Sequence, residues 1–238
     1  KARPPHAGRA FVLQKGGKEM HTFVIAGRSV TVYPARRAES PVIYLNTVEN
    51  EGTLVREALR EAPDHTLVTI GGLDWECDMA PWDIPPIAQN ATPCIGGADA
   101  HLRLLTQEIV PAAEKCLPGQ PLWRGIAGYS LAGLFAIYAL YRTDSFSRAA
   151  SMSGSLWFPG FRDYALSRPL CRRPEKLYFS LGNKEDKTRN PYLKTVRQDT
   201  EALEAFYRAQ GIKTTFWLHP GNHYANAVER TAAGIAWI

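Results

Sequence analysis

Short apolar runs alternate with stretches of helical periodicity along most of this 238-residue chain. Apolar runs of about four to eight residues are typical of buried strands, and apolar residues spaced three and four apart indicate amphipathic helices. Regular alternation of the two predicts a mostly parallel sheet with helices on both faces. The predicted strands are residues 41–46, 65–71, 123–127, 146–152, 176–181 and 213–218, and the predicted helices are residues 52–60, 99–115, 131–142, 161–166, 193–210 and 226–238.

Two β-rich runs near the start of the chain depart from this alternation. Residues 20–26 and 28–33 meet at Ala26-Gly27, which favours an antiparallel hairpin at one edge of the sheet. Residues 1–9 are rich in Pro and Arg, and we expect them to be ordered only by contact with the rest of the chain. No repeat, linker or low-complexity tract interrupts the pattern, which predicts one α/β domain over residues 1–238.

A long stretch without periodicity, residues 73–98, lies between a predicted strand and a predicted helix. It holds Trp75, Trp82 and three prolines between Pro81 and Pro86. Loops of this length inside compact domains are usually functional or disordered, and the tryptophans argue against disorder. We therefore expect these residues to form part of a substrate-binding wall.

A serine lies between a predicted strand and a strongly apolar predicted helix, in the sequence G-Y-S-L-A-G at residues 128–133. A sharp strand–turn–helix with a small residue two positions before and two after the serine is typical of a nucleophile elbow. Gly128 fills the first small position, and Ala132, which adds a single methyl group, takes the second in place of glycine. The alternative for Ser130 is a serine that caps an ordinary buried helix.

Two further residue types follow the chain order serine, acid, histidine that such elbows use. Glu185 and Asp186 come shortly after the next-to-last predicted strand, and His223 comes shortly after the last one. Because the carboxyl ends of parallel strands meet at one edge of a sheet, these loops should converge on Ser130. Glu185 is favoured over Asp186 as the acid, and a Ser–His dyad without an acid stays open.

The predicted chemistry is nucleophilic attack on an ester. An imidazole takes the serine proton and then protonates the leaving alcohol, while a carboxylate orients the imidazole and stabilises its charged form. The oxyanion that forms needs preorganised N–H donors. We expect one donor at Leu131, directly after the serine, and the other at Gly71 or Gly72, where the strand before the long loop ends.

Composition disfavours several other classes of protein. The formal net charge is +5, but Lys and Arg are dispersed and no nucleic-acid motif appears, so no nucleic-acid partner is predicted. The longest apolar run, around residues 131–140, is about half of a membrane span, and no membrane association is predicted. Because no HExxH motif or Cys/His cluster occurs, the sequence predicts neither a metal nor another cofactor.

The four cysteines are too few and too scattered for a disulfide framework, which favours free thiols and a cytoplasmic location over a periplasmic one. The chain begins at Lys1 and shows no charged-then-apolar leader, so we expect it to contain no targeting peptide. A monomer and a dimer are both compatible with the pattern.

Four motifs occur in chain order: G-Y-S-L-A-G-L-F at residues 128–135, S-G-S-L-W-F at 153–158, L-G-N-K-E at 181–185 and P-G-N-H at 220–223. Together they resemble an esterase family of the α/β-hydrolase fold that includes esterase D-like enzymes and the siderophore esterases that cleave enterobactin-type trilactones. The resemblance covers about residues 20–238. It implies Ser130 as nucleophile, His223 as base, and oxyanion donors at Gly71 and Leu131. Some members resemble enzymes that work with a Ser–His dyad alone, which leaves open whether an acid takes part.

The resemblance also suggests a substrate. Ferric catecholate siderophores are polyanionic, and a net-basic enzyme with aromatic walls would suit them. The candidate wall residues are Trp75, Trp82, Trp157, Arg189 and Arg162, and for each of them packing or a solvated surface position is the alternative. The predicted substrate is a small ester or lactone, with siderophore esters as the favoured subclass. An acyltransferase of the same fold and a non-catalytic ligand-binding module are the alternatives.

Overall fold

The computed structural model describes residues 11–13, 20–48 and 51–238, and nine strands of this part form one sheet. The strands are β1 (Phe11–Leu13), β2 (Met20–Ile25), β3 (Arg28–Tyr33), β4 (Val42–Asn46), β5 (Thr66–Gly71), β6 (Arg124–Tyr129), β7 (Arg148–Met152), β8 (Lys176–Gly182) and β9 (Lys213–His219). Their order in the sheet is β1-β2-β3-β5-β4-β6-β7-β8-β9. The carboxyl ends of β6, β8 and β9 therefore lie on the same side of the sheet, where the candidate catalytic loops begin.

The sheet is parallel from β5 to β9 and antiparallel from β1 to β5. β2 and β3 form the predicted hairpin, and its turn residues Ala26 and Gly27 have φ angles of 47° and 80°. The hairpin is one strand further in than predicted, because β1 pairs along its outer side. Three residues are too short a run to stand out as a strand in the sequence. The expectation for residues 1–9 lies outside the described residues.

Helices cover both faces of the sheet, as the alternation of elements predicts. Successive side chains of one strand point to opposite faces, so Tyr44 joins one hydrophobic core while Ile43 and Leu45 join the other. The helical segments are α1 (Glu51–Ala58), α2 (Trp75–Asp78), α3 (Ala98–Leu104), a π-helical segment (Leu105–Ile109), α4 (Val110–Glu114), α5 (Leu131–Ala139), α6 (Phe161–Ser167), a 3₁₀ turn (Leu193–Thr195), α7 (Val196–Ala209) and α8 (Ala227–Trp237). The core of Ile43 and Leu45 is covered by α1 and α8, and the core of Tyr44 is covered by α3, α5, α6 and α7.

Residues 73–98, predicted to be irregular, contain the four-residue helix α2 and a single β-bridge between Ile84 and Cys94. An ion pair of 2.7 Å between Asp78 and Arg28 ties this segment to β3. Within the segment, Gly97 packs directly on Cys77, since a β-carbon on Gly97 would lie 2.5 Å from the Cys77 sulfur. The segment is therefore held closely against the sheet, beside the carboxyl ends of its strands.

Candidate active site

Ser130 lies in a tight turn between the central strand β6 and helix α5. Its φ is 57° and its ψ is −124°, a strained backbone conformation for a residue that carries a β-carbon. The Ser130 N–H donates to the Met152 carbonyl at 3.1 Å, and the Ser130 carbonyl accepts from the Ser155 N–H at 2.9 Å. A β-carbon on Gly128 would lie 2.2 Å from the backbone carbon and oxygen of Ala132, so only glycine fits at that position.

Ser130, His223 and Glu185 form a hydrogen-bonded chain at this turn. His223 Nε2 lies 3.1 Å from Ser130 Oγ, and His223 Nδ1 lies 2.8 Å from Glu185 Oε2. An ionised carboxylate only accepts hydrogen bonds, so the ring proton belongs on Nδ1 and Nε2 is left to accept from the serine hydroxyl. Asp186, the other candidate acid, instead forms an ion pair of 2.9 Å with Lys187.

The carboxylate of Glu185 is buried, with 4% of its side chain exposed. Its Oε1 accepts from the Gly182 N–H at 2.5 Å and from Ser153 Oγ at 2.7 Å. Burial acts to raise the pKa of Glu185, but the hydrogen bonds from His223, Gly182 and Ser153 and the charge of His223 outweigh it and hold that pKa below its ordinary value. Glu185 is therefore ionised at neutral pH.

Arg230, on α8, lies directly behind this carboxylate, with 1% of its side chain exposed. Its Nη1 donates to Glu185 Oε1 at 3.1 Å and to Ser153 Oγ at 3.0 Å. The Ser153 hydroxyl thus accepts from Arg230 and donates to Glu185. The guanidinium of Arg230 therefore supplies the buried carboxylate of Glu185 with a fixed countercharge.

The same guanidinium holds the loop that carries His223. Its Nη2 donates to the carbonyls of Pro220 at 3.2 Å and Asn222 at 3.0 Å. Its Nη1 also donates to the Tyr129 hydroxyl at 3.2 Å, and that hydroxyl donates to the His223 carbonyl at 2.6 Å. One buried cation therefore links the acid to the backbone on both sides of the histidine.

Sequence reasoning missed Arg230, and the chain does contain a signal for it. Four residues at helical spacing along α8 are buried, namely Arg230, Thr231, Gly234 and Ile235. An arginine on the apolar face of an amphipathic helix is almost never buried without a partner. Its position on that face, seven residues after His223, indicates a buried anion nearby.

A cavity of about 570 Å³ opens beside Ser130 and His223. Part of its wall comes from residues 73–98, including Trp75, and Trp157 lines it as well. Aliphatic side chains make up much of the remaining wall, among them Ile84, Ile87 and Leu193. Such a mostly apolar cavity with a few polar groups is typical of a small-molecule site.

Three of the candidate wall residues are not brought to this cavity. The Trp82 indole N–H donates to the Pro159 carbonyl at 2.9 Å, so this ring serves packing. Arg162 forms an ion pair of 3.0 Å with Asp199. Arg189 is exposed and is not part of the cavity wall.

The candidate oxyanion donors occupy different positions relative to the cavity. Leu131 lines it and begins α5, and the first N–H groups of a helix have no partner inside the helix. Gly71 ends β5, and Gly72 follows it with a φ of 69°, but neither glycine is part of the cavity wall. The Gly72 carbonyl accepts from Arg28 at 2.9 Å. One candidate donor thus stands next to Ser130, and the second stays a prediction.

Across the described residues, no group of three or more His, Cys, Asp and Glu side chains is arranged to hold a metal ion. Among the helices of that part, none has the length and apolar character that crossing a membrane requires. The four cysteines are present as free thiols.

The comparisons with known proteins connect this geometry to a family. The family model described as "Putative esterase" matches residues 29–224, a range that includes Ser130, Glu185 and His223. A curated protein of Bacillus subtilis (strain 168), described as "Uncharacterized protein YbbA", is 21% identical over 181 residues, which cover 72% of each protein.

Two solved structures share the fold over nearly the whole chain. Siderophore hydrolase EstA from Aspergillus nidulans is 19% identical, with a TM-score of 0.71 over 100% of this chain and 96% of that one. An IroE-like serine hydrolase from Shewanella oneidensis is 17% identical, with a TM-score of 0.71 over 97% of this chain and 79% of that one. At these identities the likeness concerns the fold alone. It confirms the predicted class, an α/β-hydrolase fold with a mostly parallel sheet and an antiparallel N-terminal hairpin.

Proposed function

The chain belongs to the Putative esterase family and is a carboxylic-ester hydrolase, and we propose that it hydrolyses a small ester with Ser130 as the nucleophile. The observation that supports this most is the chain of contacts at the cavity. Ser130 Oγ lies 3.1 Å from His223 Nε2, and His223 Nδ1 lies 2.8 Å from Glu185. Ser130 and His223 both line the space in which an ester would be held.

In the first half of the reaction, Ser130 Oγ attacks the ester carbonyl carbon and its proton moves to His223 Nε2. The oxyanion of the tetrahedral intermediate accepts from the Leu131 N–H and from a second donor, for which Gly71 and Gly72 are our candidates. The carbon–oxygen bond to the alcohol then breaks, and Nε2 gives its proton to the departing alkoxide. An acyl-enzyme and a free alcohol result.

In the second half, a water molecule attacks the acyl carbon while its proton moves to His223 Nε2. The intermediate collapses, Ser130 Oγ leaves and takes the proton back, and the carboxylic acid is released. Throughout, Glu185 holds the imidazole in the tautomer with the proton on Nδ1 and stabilises the imidazolium that forms twice per turnover.

For the substrate we propose an ester or lactone with a bulky apolar or aromatic part, and siderophore esters as the subclass. The support is the size of the cavity, about 570 Å³, and the indole rings of Trp75 and Trp157 in its wall. The structural likeness to siderophore hydrolase EstA agrees with this choice. Hydrolysis of siderophore esters no faster than that of simple neutral esters would remove the basis for the siderophore subclass.

The test of the nucleophile is the intact mass of the protein after exposure to a fluorophosphonate. We expect one adduct on the wild-type chain, one on Ser155→Ala and none on Ser130→Ala. Ser155 is a matched control because it is a second serine in the wall of the same cavity. An unlabelled, folded wild-type chain would contradict the proposal and would favour a binding protein on a hydrolase scaffold.

A further inference from the structure

The candidate cavity is lined by acidic rather than basic side chains, although the chain as a whole has a net charge of +5. Glu76 and Glu185 line it, and none of the described residues in its wall is Lys or Arg. The charge of Glu185 is matched by Arg230, at 3.1 Å. Glu76 is therefore the residue that sets the sign of the charge inside the cavity.

The carboxylate of Glu76 has no hydrogen-bond or ion-pair partner within the described part of the chain. The Ile95 N–H donates to the Glu76 carbonyl at 3.0 Å, which places Glu76 beside Cys94, another residue of the cavity wall. Burial and then the charge of Glu76 raise the pKa of the Cys94 thiol to about 11. A carboxylate beside an apolar cavity with no countercharge of its own attracts a cation into that cavity and repels an anion.

Aromatic rings line the same cavity. They belong to Trp75, the direct neighbour of Glu76, to Trp157 and to Tyr224, which is 85% exposed and follows His223. The faces of indole and phenol rings carry negative potential, and rings grouped near a carboxylate are the arrangement by which proteins bind quaternary ammonium groups. Rings and carboxylate thus favour the same kind of ligand.

We infer that the cavity takes an ester whose non-reacting part carries a positive charge, such as a quaternary or protonated amine, and that Glu76 is the residue that selects it. This inference rests on the proposed function, because it names the substrate class of the same site. It also restricts the siderophore subclass. A polyanionic ferric catecholate would meet the Glu76 carboxylate without a basic side chain to offset it, whereas a neutral or amine-bearing ester would not be repelled.

The test compares esters of matched shape and different charge. We would use 4-nitrophenyl esters whose acyl chain ends in a trimethylammonium, a tert-butyl or a carboxylate group. To place the charge on the alcohol side, we would use the butyrate thioesters of thiocholine and of its tert-butyl isostere. On at least one side, kcat/KM should be about tenfold higher for the cationic ester than for its neutral isostere. The carboxylate ester should be hydrolysed more slowly than either.

Variants of Glu76 separate its charge from the shape of the cavity. In Glu76→Gln the preference for the cationic ester should fall to about twofold or less, and in Glu76→Lys the order of cationic and anionic esters should reverse. The preference of each variant is the ratio of kcat/KM for the cationic ester to kcat/KM for its neutral isostere, so that a general loss of activity cancels. The control is Glu61→Gln, which removes the same charge from an exposed position before β5, at the amino end of the strands. It should keep the full preference.

A binding measurement makes this inference independent of turnover. Benzyltrimethylammonium should quench the tryptophan fluorescence of the Ser130→Ala variant, and Ser130→Ala with Glu76→Gln should bind it about tenfold more weakly. Equal kcat/KM for cationic and neutral esters on both sides, with no effect of Glu76→Gln, would overturn the inference while leaving the esterase proposal standing. If no ester is hydrolysed in a Ser130-dependent way but benzyltrimethylammonium still binds, the esterase proposal is overturned and the inference about the cavity stands.

Discussion

Arg230 contacts the oxygen of the Glu185 carboxylate that His223 leaves free. Arg230 Nη1 lies 3.1 Å from Oε1, and His223 Nδ1 lies 2.8 Å from Oε2. With 4% or less of either side chain exposed, the guanidinium and the carboxylate face each other away from bulk solvent. Because Arg230 also binds the backbone of the His223 loop, it fixes the distance between acid and base from behind, and it is a positioning residue of the proposed site.

Arg230→Lys tests this positioning role. Lysine keeps the positive charge but cannot reach Glu185 and the Pro220 and Asn222 carbonyls at once, because it has one nitrogen where arginine has a fork of three. The loss of hydrogen bonds between charged and carbonyl groups should lower kcat for 4-nitrophenyl butyrate roughly tenfold, with KM little changed.

Arg60→Lys is the control for that substitution, since 72% of the Arg60 side chain is exposed and its ion pair with Glu57 is long, at 3.8 Å. It should leave both kcat and KM unchanged. A folded Arg230→Lys variant with wild-type kcat would show that Glu185 and His223 hold their geometry without the guanidinium.

Ser153→Ala removes the hydrogen bond that its hydroxyl donates to the Glu185 carboxylate and the one that it accepts from Arg230. Ser153 has a φ of 45°, and alanine would carry the same backbone strain, so the comparison isolates the hydroxyl. Hydrogen bonds to charged groups contribute about 1.5 to 3 kcal/mol, and the free energy of unfolding in urea should fall by that amount. A change smaller than about 0.5 kcal/mol would mean that Arg230 and Gly182 already satisfy Oε1.

The pKa of Glu185 predicts a dependence of stability on pH. Because its pKa is held below the ordinary value near 4.5, ionised Glu185 stabilises the folded state fully above that pH. This contribution is lost as the pH falls through the lower pKa of the folded state. The difference in unfolding free energy between the wild type and Glu185→Gln should therefore shrink as the pH falls from about 5 to below the pKa of Glu185 in the folded state. A difference that stays constant over this range would contradict the assignment.

Gly128→Ala should abolish the nucleophile turn. Its β-carbon would lie 2.2 Å from backbone atoms of Ala132, which cannot move aside without unwinding the start of α5. We expect a loss of about 3 kcal/mol or more of unfolding free energy and no measurable hydrolysis. Combining it with Ala132→Gly should not restore either property, because the clash is with the backbone.

Ala132→Gly alone is the matched control. It places glycine at the second small position of the elbow and should cost about 1 kcal/mol of stability, the usual difference between alanine and glycine in a helix. Its esterase activity should survive. Thermal unfolding and hydrolysis of 4-nitrophenyl butyrate measure both variants side by side.

The convergence of Ser130, Glu185 and His223 could be predicted because each follows a strand of one parallel sheet. Strand periodicity and chain order are local properties, and the meeting of carboxyl ends follows from them. The sequence left the choice between Glu185 and Asp186 open, because two adjacent carboxylates differ only in the direction in which the turn points them. The fold directs Glu185 inward to His223, whereas Asp186 contacts Lys187.

The wall of the cavity could be predicted only in part. The tryptophans of residues 73–98 looked alike in the sequence, but Trp75 faces the cavity whereas Trp82 donates to Pro159 and packs against the body. The orientation of a side chain on an irregular segment depends on contacts with distant elements, which carry no periodic signal. The net charge of +5 does not locate charge at the site either, because it sums over the whole chain and says nothing about the Glu76 carboxylate in the cavity wall.

The place of Arg230 in the chain has a consequence for biosynthesis. Serine, acid and histidine are all translated before α8, yet the acid and the histidine loop are both held by a side chain of that helix. A nascent chain on the ribosome therefore carries every reacting group before it carries the residue that aligns them. We expect Ser130 of the growing polypeptide to stay unreactive toward fluorophosphonate until Arg230 has emerged from the ribosome and α8 has packed against the sheet.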